Sequence, residues 1–238
     1  MKRGIDIIFS DDHLLVVNKP SGLLSIPDRF DSTKENLVGH LRQSLGESIW
    51  IVHRIDRDTS GLICFAKSAL AHRHLNQQFE DHRVEKVYLA LVDGVPNPPT
   101  GIIDTPITVH PFQEGKMIAS KVGKPALTHY TVKEIFKNSS LVQVEIETGR
   151  THQIRVHFRH IGHPLLVDPL YGRREYLSLK DIRKANKPEL ESKERPLLDR
   201  LSLHAARLTL THPITEEKIT FEAPLPKDLR AVIHQYRK

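Results

Sequence analysis

The feature that most limits the fold of this chain is the shortness of its apolar segments. Apolar residues come in short runs, such as 14–17 and 49–52, and polar residues or turn formers separate them. Short apolar runs between turn signals are typical of strands in a packed sheet. No run approaches the roughly 20 apolar residues that cross a bilayer, and the first ten residues lack a sustained apolar stretch typical of a secretory signal. We therefore expect a soluble, cytoplasmic protein.

Strand-like segments outnumber helix-like segments, and the helices are scattered among the strands. Strands are predicted over 5–9, 13–18, 49–52, 62–66, 84–92, 102–109, 126–136, 141–148, 208–211 and 218–221, and helices over 37–45, 69–81, 151–161 and 229–236. Ser32 and Glu35 form a capping-box pattern before the first helix, and Gly46 can end that helix. Ser68 is the predicted N-cap of the second helix. The pattern predicts an α+β fold with a mainly antiparallel mixed sheet flanked by helices and loops.

No internal repeat or clear linker divides the 238 residues, so a single domain over 1–238 is expected. Residues 173–200 hold 15 charged side chains in 28 positions. That composition favours a solvated insertion, part helix and part loop. Cys64 is the only cysteine, which excludes an intramolecular disulfide and is typical of a reducing compartment.

The excess positive charge lies in the second half of the chain. Residues 1–119 carry 13 Lys and Arg against 15 Asp and Glu, a net −2, and residues 120–238 carry 22 against 14, a net +8. A basic half indicates a polyanionic partner such as nucleic acid, or simply a basic soluble protein. There is no phosphate-binding loop, nucleophile elbow or zinc helix motif. Among the 15 histidines, His157, His160 and His163 are spaced by three, but no neighbouring carboxylate completes a metal site there. We expect no cofactor and no metal.

The segment 53–61 is the most informative for chemistry. If the chain is extended there, Arg54 and Asp56 point to the same face, and a guanidinium keeps a neighbouring carboxylate ionised. An ionised carboxylate suits a nucleophile or a general base. The alternative is an ordinary turn with surface charge.

A second segment begins at Gly149 and runs into a predicted helix with Thr151 as its cap. His152, Arg155 and Arg159 are spaced to form a basic face, and Arg150 lies just before the helix start, where an anion is favoured. This face predicts phosphate contact or, equally, a solvated surface. In a third segment, Lys86, Tyr88 and Ala90 share one face of a strand. The tyrosine is then either a core residue or a flat surface for a ligand.

Together these segments resemble one family, the RluA-type pseudouridine synthases. Residues 53–62 resemble the signature H-R-L-D-x-x-T-S-G-L, with Ile55 in place of leucine. Residues 18–22 are similar to N-K-P-x-G, 86–90 to K-x-Y-x-A, 149–157 to G-R-x-H-Q-I-R-x-H, and 203–205 to L-H-A. The order and spacing agree over about 8–225. The chain is most similar to short members that lack an N-terminal S4-type domain, in the RluA-like branch.

The resemblance implies isomerisation of specific uridines in ribosomal RNA, transfer RNA or both, by a monomer that does not bind membranes. It assigns the catalytic carboxylate to Asp56, acting through an acylal or a glycal intermediate. It assigns ring packing on the uracil to Tyr88 and support of Asp56 to Arg150. It makes Arg54 an RNA contact, and the predicted phosphate contacts are His152, Arg155, Arg159, Arg173 and Arg174. The alternatives are a non-catalytic RNA-binding ribosome-assembly factor on the same fold and, more distantly, a nucleoside hydrolase.

Overall fold

The computed structural model describes residues 5–46, 48–183 and 195–238. The helices there are α1 (Leu37–Leu45), α2 (Ala69–Glu80), α3 (Gln153–His160), α4 (Leu179–Arg183) and α5 (Lys227–Tyr236). The strands are β1 (Asp6–Ser10), β2 (Leu14–Lys19), β3 (Trp50–Ile51), β4 (Ser60–Ala66), β5 (Glu85–Asp93), β6 (Thr100–Asp104), β7 (Ile107–Val109), β8 (Met117–Ala119), β9 (Leu127–Ile135), β10 (Ser139–Ile146), β11 (Leu203–Thr211) and β12 (Lys218–Glu222). Within the described ranges, no helix is long and apolar enough to cross a membrane.

The strands form a mixed sheet in which most neighbours are antiparallel. β2 pairs with β1 and β4 in antiparallel register, as do β6 with β9 and β11 with β12, whereas β4 and β11 run parallel. Together with the few helices, this pairing confirms the predicted α+β class.

Contacts along the described chain divide it into two compact units. The first contains the described residues of Met1–Tyr88, Glu145–Thr148 and His204–Pro224, and the second those of Leu89–Val144, Gly149–Leu203 and Leu225–Lys238. The expectation of a single domain over 1–238 stays a prediction.

In the first unit, strand β2 is buried on both faces. Leu14 and Val16 pack on one side with residues of α2, β4, β11 and β12, and Leu15 and Val17 pack on the other with residues of α1. Alternating side chains point to opposite faces of a strand, so two apolar faces require a cover on each side. The β4 strand is buried along its whole length for the same reason.

The helix ends in the first unit follow the sequence closely, with one exception. Gly46 takes a left-handed conformation (φ 66°) after α1, and the Ser68 hydroxyl accepts a hydrogen bond from Ala71 N at the start of α2. Both were predicted. The predicted capping box at Ser32 is wrong, because the cap of α1 is Asn36, whose Oδ1 accepts from Gly39 N at 2.8 Å.

In the second unit, the segments of β5, β10, β9 and β6 lie in that order, and β7 and β8 form a separate two-stranded sheet. The strand predicted over 102–109 is interrupted at Thr105 and Pro106, between β6 and β7. Proline cannot donate a ladder hydrogen bond, which explains the break. The short β8 was not predicted. Within the predicted insertion 173–200, α4 is present and residues 184–194 lie outside the described residues.

Candidate active site

Asp56 lies in the segment 53–61, which runs from the end of β3 into β4. Its side chain is half-buried, and its carbonyl accepts from Thr59 N at 3.2 Å in the turn that starts β4. The residue before it, Ile55, is buried, and its N–H and carbonyl both bind the hydroxyl of Ser25, at 3.3 and 2.7 Å. Both polar groups of the Ile55 backbone are therefore hydrogen-bonded, which fixes the chain just before Asp56.

The backbone on the other side of Asp56 is held by a buried lysine. Lys19 is 0% exposed, and its Nζ donates to the carbonyls of Pro20, Leu23 and Arg57 at 3.0, 2.7 and 2.8 Å. Gly22 N also donates to the Arg57 carbonyl, at 3.0 Å. A buried ammonium needs such acceptors to offset its lost hydration. Hydrogen bonds thus join the segment 18–25 to the segment 55–58.

Two further contacts hold the ends of the Asp56 segment. His53 accepts a hydrogen bond from Cys64 N at 3.0 Å and stacks on Phe79. The pKa of His53 is lowered to about 3, mainly by burial and then by the charge of Lys86. His53 is therefore a neutral acceptor at physiological pH.

At the C-terminal end of the segment, β4 lies close to β11. Ser60 and His204 are joined between Oγ and Nδ1 at 3.0 Å, and the other His204 nitrogen lies 3.2 Å from the Ala223 carbonyl. Gly61 has φ 112°, and a Cβ there would lie 2.2 Å from the Ala205 carbonyl oxygen. The two motifs T-S-G and L-H-A therefore lie side by side, and only glycine fits at position 61.

The predicted aromatic residue, Tyr88, lies near Asp56. Tyr88 is 8% exposed, and its pKa is raised, first by burial and second by the negative charge of Asp56. A charge affects a pKa in this way when the two groups are close. Both residues belong to the first unit, so the sequence-predicted carboxylate and ring come together. Arg54 is exposed, and Lys86 donates from Nζ to the Glu147 carbonyl at 3.2 Å.

The predicted basic residues of the second unit occupy different environments. The Nε of Arg150 donates to the Pro125 carbonyl at 2.9 Å. His152 takes a left-handed conformation (φ 57°) ahead of α3 and contacts the Tyr171 hydroxyl through Nδ1 at 2.8 Å. Thr151 was the predicted cap, but His152 occupies that position and makes no side-chain cap hydrogen bond.

The prediction that Arg155 belongs to an exposed basic face is wrong. Its side chain is 7% exposed and forms two hydrogen bonds with the buried carboxylate of Asp168, each 2.8 Å long. Arg159 is exposed, and its NH1 donates to the Tyr171 carbonyl at 2.7 Å. The exposed cation of the predicted face is therefore Arg159.

Arg173 and Arg174 both lie near a nearly buried carboxylate, Asp93. Arg174 contacts it at 2.6 Å, whereas Arg173 is 67% exposed and lies 4.0 Å away. Sequence reasoning missed the roles of Asp93 and Asp168. The sequence did carry a signal for the turn at Asp168. An Asp followed by Pro169 and Gly172 is typical of a turn that the Asp side chain caps. Its Oδ1 accepts from Leu170 N and Tyr171 N.

In the described part of the chain, no three His, Cys, Asp or Glu side chains are grouped so that they could hold a metal ion. The candidate site contains the half-buried carboxylate of Asp56, the buried phenol of Tyr88 and a backbone that hydrogen bonds hold on both sides of Asp56.

Comparison with known proteins gives a consistent result. The family model for RNA pseudouridylate synthases matches residues 13–160. The ribosomal large subunit pseudouridine synthase D of Zymomonas mobilis is 41% identical over 236 residues, which cover 95% of this chain and 71% of that protein. The namesake from Nitrosomonas europaea is 40% identical, and the match covers 98% of this chain and 65% of that protein.

Two further comparisons cover most of both chains. The dual-specificity RNA pseudouridine synthase RluA of Salmonella typhi is 37% identical, with 92% of each chain matched. Among solved structures, human RNA pseudouridylate synthase domain containing 4 has a TM-score of 0.74 and 27% identity, covering 98% of this chain and 93% of that one.

Proposed function

The chain belongs to the RNA pseudouridylate synthase family, as a member of the RluA type, and is an isomerase of uridine in RNA; from this premise we propose that it modifies ribosomal RNA with Asp56 as its catalytic carboxylate. The observation that carries the assignment is the position of Asp56, half-buried in a backbone segment that Lys19 and Ser25 hold on either side. A rigid backbone keeps a reacting group in a productive geometry.

The reaction exchanges one bond to the sugar for another. The bond from uracil N1 to ribose C1′ breaks, a bond from C5 to C1′ forms, C5 loses its proton and N1 gains one. A glycosidase needs a second carboxyl group to protonate a departing group or activate water. Here the uracil is retained and water must be excluded, so one ionised carboxylate in a shielded position suffices.

Asp56 has two routes to this exchange. Its carboxylate can attack C1′ and form an acylal, or it can remove the proton at C2′ and leave a glycal. Both need the ionised form of Asp56, so both predict that an uncharged isostere stops the reaction. A uridine in a stem or folded loop must first be flipped out of the stack to reach this group.

We assign Tyr88 to packing against the uracil. Burial and the Asp56 charge raise the pKa of its phenol, so the hydroxyl remains protonated at neutral pH. Tyr88 can then offer a ring face and a neutral hydroxyl, whereas a phenolate base would require a lowered pKa. We therefore do not assign the removal of the C5 proton to a Tyr88 phenolate.

The remaining residues are assigned to RNA binding or support. Arg54, His152 and Arg159 are proposed to contact RNA, and the role implied for Arg150 by the resemblance stays a prediction. Arg173 is proposed as a phosphate contact because its side chain is mostly exposed. Arg155 and Arg174 are reassigned to ion pairs inside the second unit, with Asp168 and Asp93.

Ribosomal RNA is the preferred substrate because two relatives above are named for the large ribosomal subunit. Transfer RNA is the second candidate, favoured by the likeness to a synthase named as dual-specific. The test uses ribosomal RNA fragments, transfer RNA transcripts and free uridine, each with tritium at C5. Formation of the new carbon bond releases that tritium to water, so release measures turnover directly.

The decisive variant is Asp56→Asn, with Asp58→Asn as the matched control two residues away. Asp56→Asn should release no tritium above background while it still binds RNA, because it keeps the shape and loses the charge. Asp58, half-exposed beside Arg57, should be replaceable with little loss of rate. Turnover by Asp56→Asn would contradict the assignment, and wild type that binds RNA without turnover would favour the assembly-factor alternative. Release from free uridine alone would exclude RNA as the substrate.

A further inference from the structure

The hairpin of β7 and β8 and the last turn of α3 enclose a pocket of about 310 Å³ that lies wholly in the second unit. Its basic lining comes from both elements: His110 and Lys116 belong to the hairpin, and Arg159 and His160 belong to α3. Apolar and aromatic side chains complete the lining: Met117, Ile118, Ala119, Val156 and Tyr171. Among the residues that the structure describes, no acidic side chain lines the pocket.

The buried ring of Tyr171 fixes the two elements that form the pocket. Its hydroxyl accepts a hydrogen bond from Met117 N in β8 at 2.8 Å and contacts His152 Nδ1 before α3 at 2.8 Å. Its carbonyl accepts from Arg159 NH1 at 2.7 Å. The pocket is therefore a built feature of the fold, held by a side chain that is only 1% exposed.

The basic side chains of the pocket have defined positions. The Nζ of Lys116 lies 5.8 Å from the centre of the Tyr171 ring, a cation–π distance. The Nδ1 of His110 accepts from Phe112 N and Gln113 N, at 3.2 and 3.1 Å, so the proton of the neutral ring lies on Nε2. His110 therefore offers a donor besides those of Lys116 and Arg159.

Basic residues at a helix C-terminus also have a simpler explanation, because they offset the negative end of the helix dipole. That explanation covers Arg159 and His160 in the last turn of α3. It does not cover Lys116 and His110, which lie on a different element of the chain. Two elements that bring basic side chains to one concave surface, with no acidic residue in its described lining, favour an anionic ligand.

An exposed aromatic ring stands next to the pocket. Phe112, in the connection between β7 and β8, is 91% exposed, and its ring lies 6.3 Å from that of His110 in an edge-on arrangement. RNA-binding surfaces combine phosphate-binding cations with exposed rings on which unpaired bases stack. A free inorganic anion would have no use for such a ring.

We propose that this pocket binds a phosphate group of the RNA substrate and that Phe112 stacks on a neighbouring unpaired base. The inference rests on the proposed function in that RNA is the substrate, and it adds a binding site that includes His110, Lys116, His160 and Phe112. Phosphate contacts fix the position of a nucleic acid, whereas base contacts carry its sequence. The pocket therefore sets affinity and register, and Asp56 carries the chemistry.

The first test is the salt dependence of RNA binding by Lys116→Gln. Each phosphate contact contributes roughly 0.7 to 0.9 to the slope of log affinity against log salt. Lys116→Gln should reduce the slope by about that amount, and Lys137→Gln, which removes a charge from an exposed lysine of the same unit, should leave it unchanged. Equal slopes for wild type and Lys116→Gln, or equal reductions in both variants, would overturn the proposal.

The second test is Phe112→Ala, which cannot disturb packing strongly because the ring is exposed. RNA affinity should fall at least about fivefold with no change in the salt slope, as expected for a lost stacking contact. Unchanged affinity would remove Phe112 from the site.

Two more measurements separate this proposal from its alternatives. Tritium release by wild type tests the proposed function separately. Its absence would count against that function alone, because the salt slope is measured without turnover. Calorimetric titration with inorganic phosphate at constant ionic strength tests a free-anion site. Phosphate binding that Lys116→Gln abolishes, together with an unchanged RNA salt slope, would assign the pocket to a small anion and overturn the RNA proposal.

Discussion

In the first unit, the backbone around Asp56 is held by groups that bind carbonyls and amides, whereas in the second unit α3 is held by charged side chains paired inside the fold. Lys19 and Ser25 bind main-chain atoms on either side of Asp56, and the carboxylate itself stays half-exposed. Arg155 instead pairs with the buried Asp168. Main-chain support of this kind fixes the backbone that carries a side chain and uses none of the side chain's own atoms. A side-chain ion pair such as that of Arg155 fixes a helix, but the paired charge is then not available to bind RNA.

This comparison predicts that Asp168 matters most for stability. Asp168→Ala leaves Arg155 buried without its counter-charge and removes the acceptor for Leu170 N and Tyr171 N. Loss of one partner of a buried pair costs about 3 to 5 kcal/mol, which urea unfolding measures through a lower midpoint. Asp56→Asn serves as the contrast and should unfold nearly as wild type does.

The double variant Arg155→Met with Asp168→Leu sharpens the same point. Replacing both charges by apolar groups should recover part of the loss, because the desolvated charge is gone. If Asp168→Ala costs less than about 1 kcal/mol, the pair is hydrated and the contrast between the two units fails.

The second prediction concerns Lys19 and combines stability with rate. Lys19→Met keeps the buried stem but leaves the carbonyls of Pro20, Leu23 and Arg57 without their charged donor. Unfolding free energy should fall by about 2 to 3 kcal/mol, and tritium release should fall even at saturating RNA because Asp56 loses its support. The control is Lys34→Met, a half-exposed lysine paired with Asp28, which should change neither quantity noticeably. Full rate with Lys19→Met would show that the support is dispensable.

Much of the first unit could be predicted from the sequence. Helix α1 has the predicted bounds and ends at Gly46, whereas the roles of Asp56 and Tyr88, which come from the family motifs, stay predictions. These features depend on local rules or on the family motifs. The role of Lys19 was not predicted, because the carbonyls it binds lie up to 38 positions away in sequence.

The second unit was predicted less well because α3 violates the rule that polar helix faces are exposed. Gln153 donates to Thr128 Oγ1 and the Leu127 carbonyl, and His157 contacts Thr128 Oγ1 and the Thr105 carbonyl. With those partners, polar side chains can be buried at little cost. Spacing along the helix identifies a polar face but cannot reveal that strands and loops satisfy it.

The third prediction is a pH dependence that belongs to the first unit. A histidine in the unfolded chain titrates near 6.5, and the pKa of His53 in the fold is lowered to about 3. Between these values the unfolded state binds more protons, so stability falls as pH decreases through this window and is fully present above about pH 6.5.

The variant that isolates this effect is His53→Gln, whose amide oxygen can accept from Cys64 N without titrating. Between about pH 7 and about pH 4.5, wild type should lose about 2 to 3 kcal/mol more unfolding free energy than His53→Gln does. Parallel pH profiles for the two proteins would show that His53 is protonated at little cost.

The smallest expected effect separates Arg173 from Arg174, neighbours that the sequence treats alike. Arg174→Ala leaves the nearly buried Asp93 without its 2.6 Å partner and should destabilise the protein measurably, whereas Arg173 is mostly exposed and 4.0 Å from the same carboxylate. Exposed pairs contribute about 0 to 1 kcal/mol, so Arg173→Ala should alter the unfolding midpoint only slightly. If Arg173 meets a phosphate, the same variant should lower the salt slope of RNA binding by roughly 0.7 to 0.9. Equal destabilisation by both variants would mean that Asp93 is shared, and the distinction between a paired and an available arginine would then not hold at this position.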